Sequence, residues 1–354
     1  MDRRHFLQAS ASLGPLIAAG TAGATGAASA RPDPAQAPLL RPRRLRPGDT
    51  IGLISPANAS FEREPVALAM EALQALGLKV KLGAHALSRR GQFGGSDAER
   101  AEDIHHFFAD EGIAGLLALT GGSGCARIVD RLDYGLIRQH PKFFGGFSDV
   151  TCLINAIQRQ TGLVTFHSPF AGSTWTSFST QHFRALVMEG EAPLLRNPAG
   201  EQGGDLVQAH DRAWTVRGGR ARGRLVGGNL AVLSAMAGSA YLPDFDGAVL
   251  FLEDINEYIY RVDRMLATLR LAGAFRRLAG VVLGQFTKCE PGDGNYGTLT
   301  LDEVFEDYFG GLGVPVYRGA MIGHIPRKFT LPLGIEAEID ADACTLRILA
   351  PAVA

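Results

Sequence analysis

The chain has 354 residues, a length typical of two domains. Hydrophobic residues make up 46% and charged residues 20%, which excludes disorder or coiled coil for most of the chain. The 35 Lys and Arg residues balance 36 Asp and Glu residues, so the basic surplus of a nucleic-acid-binding protein is absent and we expect no nucleic-acid partner.

The first thirty residues have the composition of an export signal. Arg3-Arg4 followed by Phe6-Leu7 is typical of a twin-arginine signal, and a weakly apolar stretch then leads to Ala28-Ser29-Ala30, a cleavage-site pattern. The alternative is a disordered terminus with a chance arginine pair. We expect residues 1–30 to direct the protein to the periplasm or beyond, leaving no membrane span after cleavage. Residues 31–47, rich in Pro and Arg, are predicted to be a linker.

Residues 48–170 alternate between apolar runs typical of strands and helical periodicity, which predicts βαβ units and a mainly parallel sheet. The predicted strands are 50–56, 78–82 and 115–120, and an apolar segment 143–147 leads to Ser148. The predicted helices are 65–76, 96–110, one from about 126, and 149–159.

Residues 171–222 show a weaker pattern, and we interpret them as an interdomain connection with some local structure. Residues 223–354 form the second predicted domain. Its predicted strands are 248–252, 280–286, 314–317, 335–339 and 344–349, and its predicted helices are 229–237, 258–271 and 301–309.

Three polar residues follow apolar runs: Ser148, Glu253 and His324. A hydroxyl becomes a nucleophile when an imidazole takes its proton, and a carboxylate on the other ring nitrogen orients that imidazole. The three residues therefore make a candidate hydrolytic triad. Ser148 does not match G-x-S-x-G, because Val150 stands where that motif has glycine, and the alternative for this serine is a helix N-cap.

The glycine loop Gly121-Gly122-Ser123-Gly124 stands between a predicted strand and a predicted helix. Its N–H groups can bind an oxyanion or a phosphate, and the alternative is a tight turn. The loop matches neither G-x-G-x-x-G nor a P-loop. The pair Glu253-Asp254 can be read as metal or acid–base carboxylates, or Asp254 as part of an ion network with nearby arginines. His105-His106 lack metal-ligand spacing, and we expect no metal and no cofactor.

Several motifs recur in an order that resembles the LD-carboxypeptidase family, serine peptidases that include the microcin C immunity peptidases. The resemblance covers about residues 45–350. The motifs that carry it are Thr120-Gly121-Gly122-Ser123-Gly124, Gly146-Phe147-Ser148-Asp149-Val150-Thr151, Gly227-Gly228-Asn229-Leu230, Leu252-Glu253-Asp254 with Tyr260-Arg261-Val262-Asp263-Arg264, and Gly323-His324 with Leu331-Pro332-Leu333-Gly334.

The resemblance implies an N-terminal flavodoxin-like α/β domain and a C-terminal domain with a β-rich core, with the active site in the cleft between them. It implies Ser148 as nucleophile, His324 as general base and then acid, and Glu253 as the orienting carboxylate. The backbone N–H groups of Gly122 and Asp149 would form the oxyanion hole. The implied substrate is a murein tetrapeptide that loses its terminal D-alanine, and homodimers are common in the family.

The chain departs from the family pattern at Thr120, where members often carry Arg, and at residues 325–328, where many have Gly after the histidine. Both places can border the substrate. Arg127 is a candidate for binding the substrate carboxylate, with a surface helix arginine as the alternative. Two other functions stay open: hydrolysis of acyl-nucleotide conjugates, with residues 170–180 as a stacking surface, and peptide binding without catalysis.

Overall fold

The structure is a computed structural model that describes residues 38–198, 207–208, 210–292 and 297–354. The predicted export signal and the first part of the predicted linker, residues 31–37, lie outside the described residues. None of the helices described is long and apolar enough to span a bilayer.

The helices of the described residues confirm most of the predicted ones, and helix α2 shows how the local sequence sets such a boundary. Ser96 accepts a hydrogen bond from the N–H of Glu99, whose carboxylate accepts one from the N–H of Ser96, and this capping box starts the helix. The α-helices are α1 (Arg63–Ala75), α2 (Asp97–Ala109), α3 (Tyr134–Gln139), α4 (Thr151–Thr161), α5 (Ser177–Phe183), α6 (Leu230–Ala235), α7 (Ile259–Leu271) and α8 (Leu301–Phe305).

The first sheet has the strand order β12-β5-β4-β3-β1-β2. Strands β1 to β5 are parallel, and β12 is antiparallel to β5 at the edge. This confirms the predicted parallel α/β sheet. Its strands are β1 (Thr50–Ile54), β2 (Lys79–Leu82), β3 (Gly115–Ala118), β4 (Phe143–Gly146), β5 (Thr165–His167) and β12 (Leu331–Leu333).

The second sheet has the strand order β6-β14-β13-β8-β9-β10-β11-β7 and provides the predicted β-rich core. Strands β8 to β11 are parallel, and antiparallel strands flank them on both sides. Its strands are β6 (Leu194–Arg196), β7 (Trp214–Arg217), β8 (Arg220–Asn229), β9 (Ala248–Ile255), β10 (Gly280–Thr287), β11 (Val316–Arg318), β13 (Glu336–Asp340) and β14 (Thr345–Ile348).

The structure differs from the sequence predictions in two regions. Residues 171–222 contain α5, β6, β7 and the first residues of β8, so this stretch supplies both edge strands of the second sheet. The helix predicted from about residue 126 is replaced by two short 3₁₀ turns, and α3 begins only after Asp133, whose carboxylate accepts from the N–H of Leu136. The edge strands β6 and β7 have three and four residues and gain stability from pairing with β14 and β11, which the local pattern does not show.

Helix α4 joins the two sheets at the place where the predicted nucleophile lies. The amide of Asn155 donates to the carbonyl of Gly227 on β8 at 2.9 Å, and the N–H of Asn229 donates to the Thr151 hydroxyl at 3.1 Å. Both sheets belong to one compact unit of the chain. The turn before α4 is thereby held against the carboxyl end of β8.

Candidate active site

Ser148 lies two residues after the end of β4 and has a left-handed backbone, with φ of +55°. This conformation costs free energy for any residue with a Cβ, and it is typical of a nucleophile held on a sharp strand-to-helix turn. Ser148 is the first residue of a 3₁₀ turn whose N-cap is Phe147, and neither that turn nor α4 has a side-chain cap. The N-cap interpretation of Ser148 is therefore wrong.

Glu253 and His324 are in direct contact. The Nδ1 atom of His324 lies 2.7 Å from Oε2 of Glu253, which is fully buried in β9. A carboxylate can only accept, so Nδ1 carries the proton and the lone pair of the imidazole is left on Nε2. The pair therefore presents a base whose tautomer and orientation are fixed by a buried carboxylate.

The neighbouring carboxylate, Asp254, has a different environment. Its oxygens accept from the Asn229 amide and from the N–H groups of Ala231 and Ile255, so it holds the start of α6. Burial, with the adjacent Glu253 second, raises the pKa of Asp254 to about 7. Asp254 therefore binds Asn229 and the start of α6, and not the arginine network considered for it. Among the described residues Glu253 and Asp254 have no hydrogen-bond donor in common.

Phe147 links the serine to the histidine. Its ring centroid is 4.9 Å from that of His324 and 4.2 Å from that of Phe170, and Phe147 precedes Ser148 in the chain. Among the described residues no hydrogen bond yet joins the Ser148 hydroxyl to the His324 ring. Catalytic hydrogen bonds often tighten only when substrate is bound.

The glycine loop lies directly beside Ser148. A Cβ added at Gly121 would come within 3.0 Å of the Ser148 hydroxyl oxygen, so only glycine fits there. Asn58 braces the loop, since its N–H donates to the Gly121 carbonyl and its side-chain oxygen accepts from the N–H of Ser123. In the described part of the chain the N–H groups of Gly122 and Asp149 donate to no acceptor.

The side chain of Asp149 ties this turn to the segment after the glycine loop. Its Oδ2 accepts from the N–H of Cys125 at 2.8 Å, and burial raises its pKa. The two N–H groups considered for the oxyanion hole are therefore on segments fixed to each other.

The guanidinium of Arg127 is paired with a carboxylate of the protein. Its guanidinium donates two hydrogen bonds to Asp97, at 3.0 and 2.8 Å, and its side chain is half exposed. The Arg127 hydrogen bonds, despite some burial, lower the pKa of Asp97 to about 2. The structure thus places Arg127 in a bidentate ion pair at the start of α2.

Two basic residues of the site were not singled out as functional by the sequence. His167 is fully buried, neither ring nitrogen has a partner in the described chain, and burial lowers its pKa to about 3. Lys328 is 5% exposed, and its ammonium lies 3.9 Å from the centroid of the Phe147 ring. The departure at residues 325–328 signalled the second of them, but burial of a lysine has no local sequence signature.

We expect Gly323→Ala to lower kcat/KM by about 10²-fold, the usual result of misplacing a reacting group by about 1 Å. Gly323 has φ of +117°, and a Cβ there would lie 2.7 Å from Oε2 of Glu253, displacing the acceptor of His324. Gly238→Ala is the control, because Gly238 also has positive φ, +84°, but has open space around it. Steady-state kinetics on both variants checks this, and equal activities would contradict it.

The comparison with known proteins confirms the resemblance drawn from the motifs. Models of the LD-carboxypeptidase N-terminal and C-terminal domains match residues 51–168 and 222–339. A probable murein peptide carboxypeptidase of Bacillus subtilis (strain 168) is 36% identical over 300 residues, covering 85% of this chain and 91% of the relative. The murein tetrapeptide carboxypeptidase of Pseudomonas aeruginosa is 30% identical, covering 82% and 93%.

A solved structure agrees with the fold. The microcin C7 self-immunity protein MccF, in complex with aspartyl sulfamoyl adenosine, superposes with a TM-score of 0.79 at 25% identity, over 89% of this chain and all of that one. Family models, relatives and fold all lead to one assignment. The chain belongs to the LD-carboxypeptidase family of serine peptidases.

Proposed function

We propose that this protein hydrolyses the L,D-peptide bond of murein tetrapeptides and releases the terminal D-alanine by a Ser148–His324–Glu253 triad. The observation that carries the triad is the 2.7 Å contact of His324 with buried Glu253, next to a serine in a strained turn. The names of the Bacillus and Pseudomonas relatives support the substrate.

The reaction has two halves in this scheme. The Ser148 oxygen attacks the scissile carbonyl carbon while Nε2 of His324 takes the hydroxyl proton, and the N–H groups of Gly122 and Asp149 donate to the oxyanion. The C–N bond then breaks as His324 returns that proton to the amine of D-alanine. A water molecule, deprotonated by the same nitrogen, hydrolyses the acyl-enzyme and restores the serine.

A second candidate function is hydrolysis of an acyl-nucleotide conjugate. Its support is the likeness to MccF, whose structure holds aspartyl sulfamoyl adenosine. The aromatic segment considered for stacking is largely committed to the protein: the Trp175 indole donates to the Ala171 carbonyl at 3.1 Å and packs edge-on against Phe183. This packing makes the murein peptide the better supported substrate.

We also propose that the protein is exported by the twin-arginine pathway, cleaved after Ala30, and active as a homodimer. Arg3-Arg4 and the Ala28-Ser29-Ala30 pattern support export, and the family resemblance supports the dimer. An exported enzyme would meet the cell wall itself or peptides released from it.

Mass spectrometry after incubation with defined substrates tests the proposed function. We expect release of D-alanine from the tetrapeptide, and no release from a matched tetrapeptide ending in L-alanine. A pentapeptide and an aminoacyl sulfamoyl adenosine complete the set. Cleavage of the conjugate without cleavage of the tetrapeptide would establish the second candidate instead.

A further inference from the structure

Lys328 lies four residues after His324 and is close to the reacting groups. Its ammonium is 3.9 Å from the Phe147 ring centroid, and the His324 ring is 4.9 Å from the same centroid. Phe147 itself precedes Ser148. The ammonium, the base and the nucleophile therefore surround one aromatic side chain.

Within the described residues the ammonium of Lys328 has no hydrogen-bond acceptor. No hydrogen bond or ion pair within the described residues involves Nζ, although the residue is only 5% exposed. Lys142 shows the usual arrangement of a buried lysine: it is 8% exposed and its Nζ donates to the carbonyls of Phe107 and Asp110. Burial of a charge with few partners is costly, and among the described residues this ammonium contacts only the face of the Phe147 ring, so it is free to bind a ligand that supplies an acceptor.

The position of Lys328 is fixed by its neighbours. The Ser179 hydroxyl accepts from the N–H of Lys328 at 3.0 Å and donates to the carbonyl of Pro326 at 3.1 Å. The ring of Phe329 packs on Phe178 and His182 of α5, at 5.3 and 4.8 Å between centroids. Several polar side-chain atoms of the described chain are fully buried and have no hydrogen-bond partner, and Oε1 of Glu253 is one of them. Nζ of Lys328 also has no partner there but is not fully buried, so the ammonium keeps access to solvent.

A carboxypeptidase must recognise the terminal carboxylate of its substrate. That carboxylate lies about one residue length, ~3.6 Å, from the scissile carbonyl carbon, so its binding group has to be next to the nucleophile. Arg127 is held by Asp97, whereas the Lys328 ammonium has no acceptor in the described part of the chain and lies beside Phe147. We propose that the Lys328 ammonium binds the terminal carboxylate of the substrate and sets the specificity for a free C-terminus. This inference rests on the proposed function.

The test compares two substrates, the murein tetrapeptide and the same peptide ending in D-alaninamide. We expect the wild-type full chain to prefer the free acid in kcat/KM, and Lys328→Met to lose about 10- to 100-fold on the acid, mainly through KM, with little change on the amide. Lys142→Met is the matched control. It removes a buried ammonium that the protein already satisfies, so it should lower Tm and leave the acid-to-amide ratio unchanged.

The wild type supplies a second measurement that needs no variant. Burial lowers the pKa of Lys328 to about 8, and Glu253, His324 and His167 are the titratable groups around it. Those groups act on both substrates, whereas only the acid has the carboxylate. The acid-to-amide ratio of kcat/KM should therefore fall as pH rises through about 8, because the ammonium loses its charge.

The outcomes separate the two proposals. A Lys328→Met enzyme that keeps the wild-type acid-to-amide ratio, or a wild-type ratio that stays level between pH 7 and 9, overturns the carboxylate-binding role alone. A wild type that releases no product from either peptide overturns the proposed function, and this inference with it.

Discussion

Ser148→Ala is expected to lower kcat by about 10⁴- to 10⁶-fold, the range found when a serine nucleophile is removed. The variant has no oxygen to form the acyl-enzyme, while the Glu253–His324 bond and the glycine loop are unaffected. Substrate binding should persist. Ser239→Ala, at an exposed serine outside the site, is the control and should retain full activity. D-alanine release measured by mass spectrometry decides the matter, and turnover by Ser148→Ala near the wild-type rate would eliminate the triad.

The same position allows a separate measurement of backbone strain. Ser148→Gly and Ser148→Ala both remove the hydroxyl, but only glycine adopts φ of +55° without a steric cost from Cβ. Ser148→Gly should therefore exceed Ser148→Ala in free energy of unfolding by about 1 kcal/mol. Denaturant melts of the two inactive variants measure this difference, and equal stabilities would show that the turn stores no strain.

The order of strands and helices could be predicted where the local pattern is strong. The apolar runs of β1, β3 and β9 and the periodicity of α1 and α7 were sufficient, because each buries a face that its own sequence marks. Strands β5 and β12 could not be predicted. Each has three residues, and they pair with each other although Thr165 and Leu333 are far apart in sequence.

The residues of the candidate site could be predicted from the sequence, but their contacts with one another could not. Strand ends indicated Ser148, Glu253 and His324, and the structure brings the last two into contact. A basic residue that the protein pairs with a carboxylate cannot be distinguished, in the sequence, from one that it leaves for a ligand. Arg127 and Lys328 are both basic residues near predicted site motifs, and only tertiary contacts show that Asp97 pairs with the first.

The buried pair Glu253-Asp254 shows how adjacent residues on one strand come to serve different purposes. Side chains alternate between the two faces of a strand, so consecutive carboxylates are directed apart. Glu253 meets the histidine, and Asp254 meets the N-terminal N–H of α6 and the Asn229 amide. The carboxylate that contacts His324 is thus separated from a structural one by a single peptide bond.

Glu253→Gln should lower kcat by about 10³- to 10⁴-fold, because an amide can donate to Nδ1 of His324 and so leave the proton on Nε2, where the base is needed. Asp254→Asn changes the neighbouring carboxylate in the same way. It should lower Tm by weakening the start of α6 and alter kcat far less. Steady-state rates and melting curves on both variants separate these effects. Equal losses of kcat would mean that the two carboxylates act as one unit, and an active Glu253→Gln enzyme would mean that His324 does not depend on Glu253 for its tautomer.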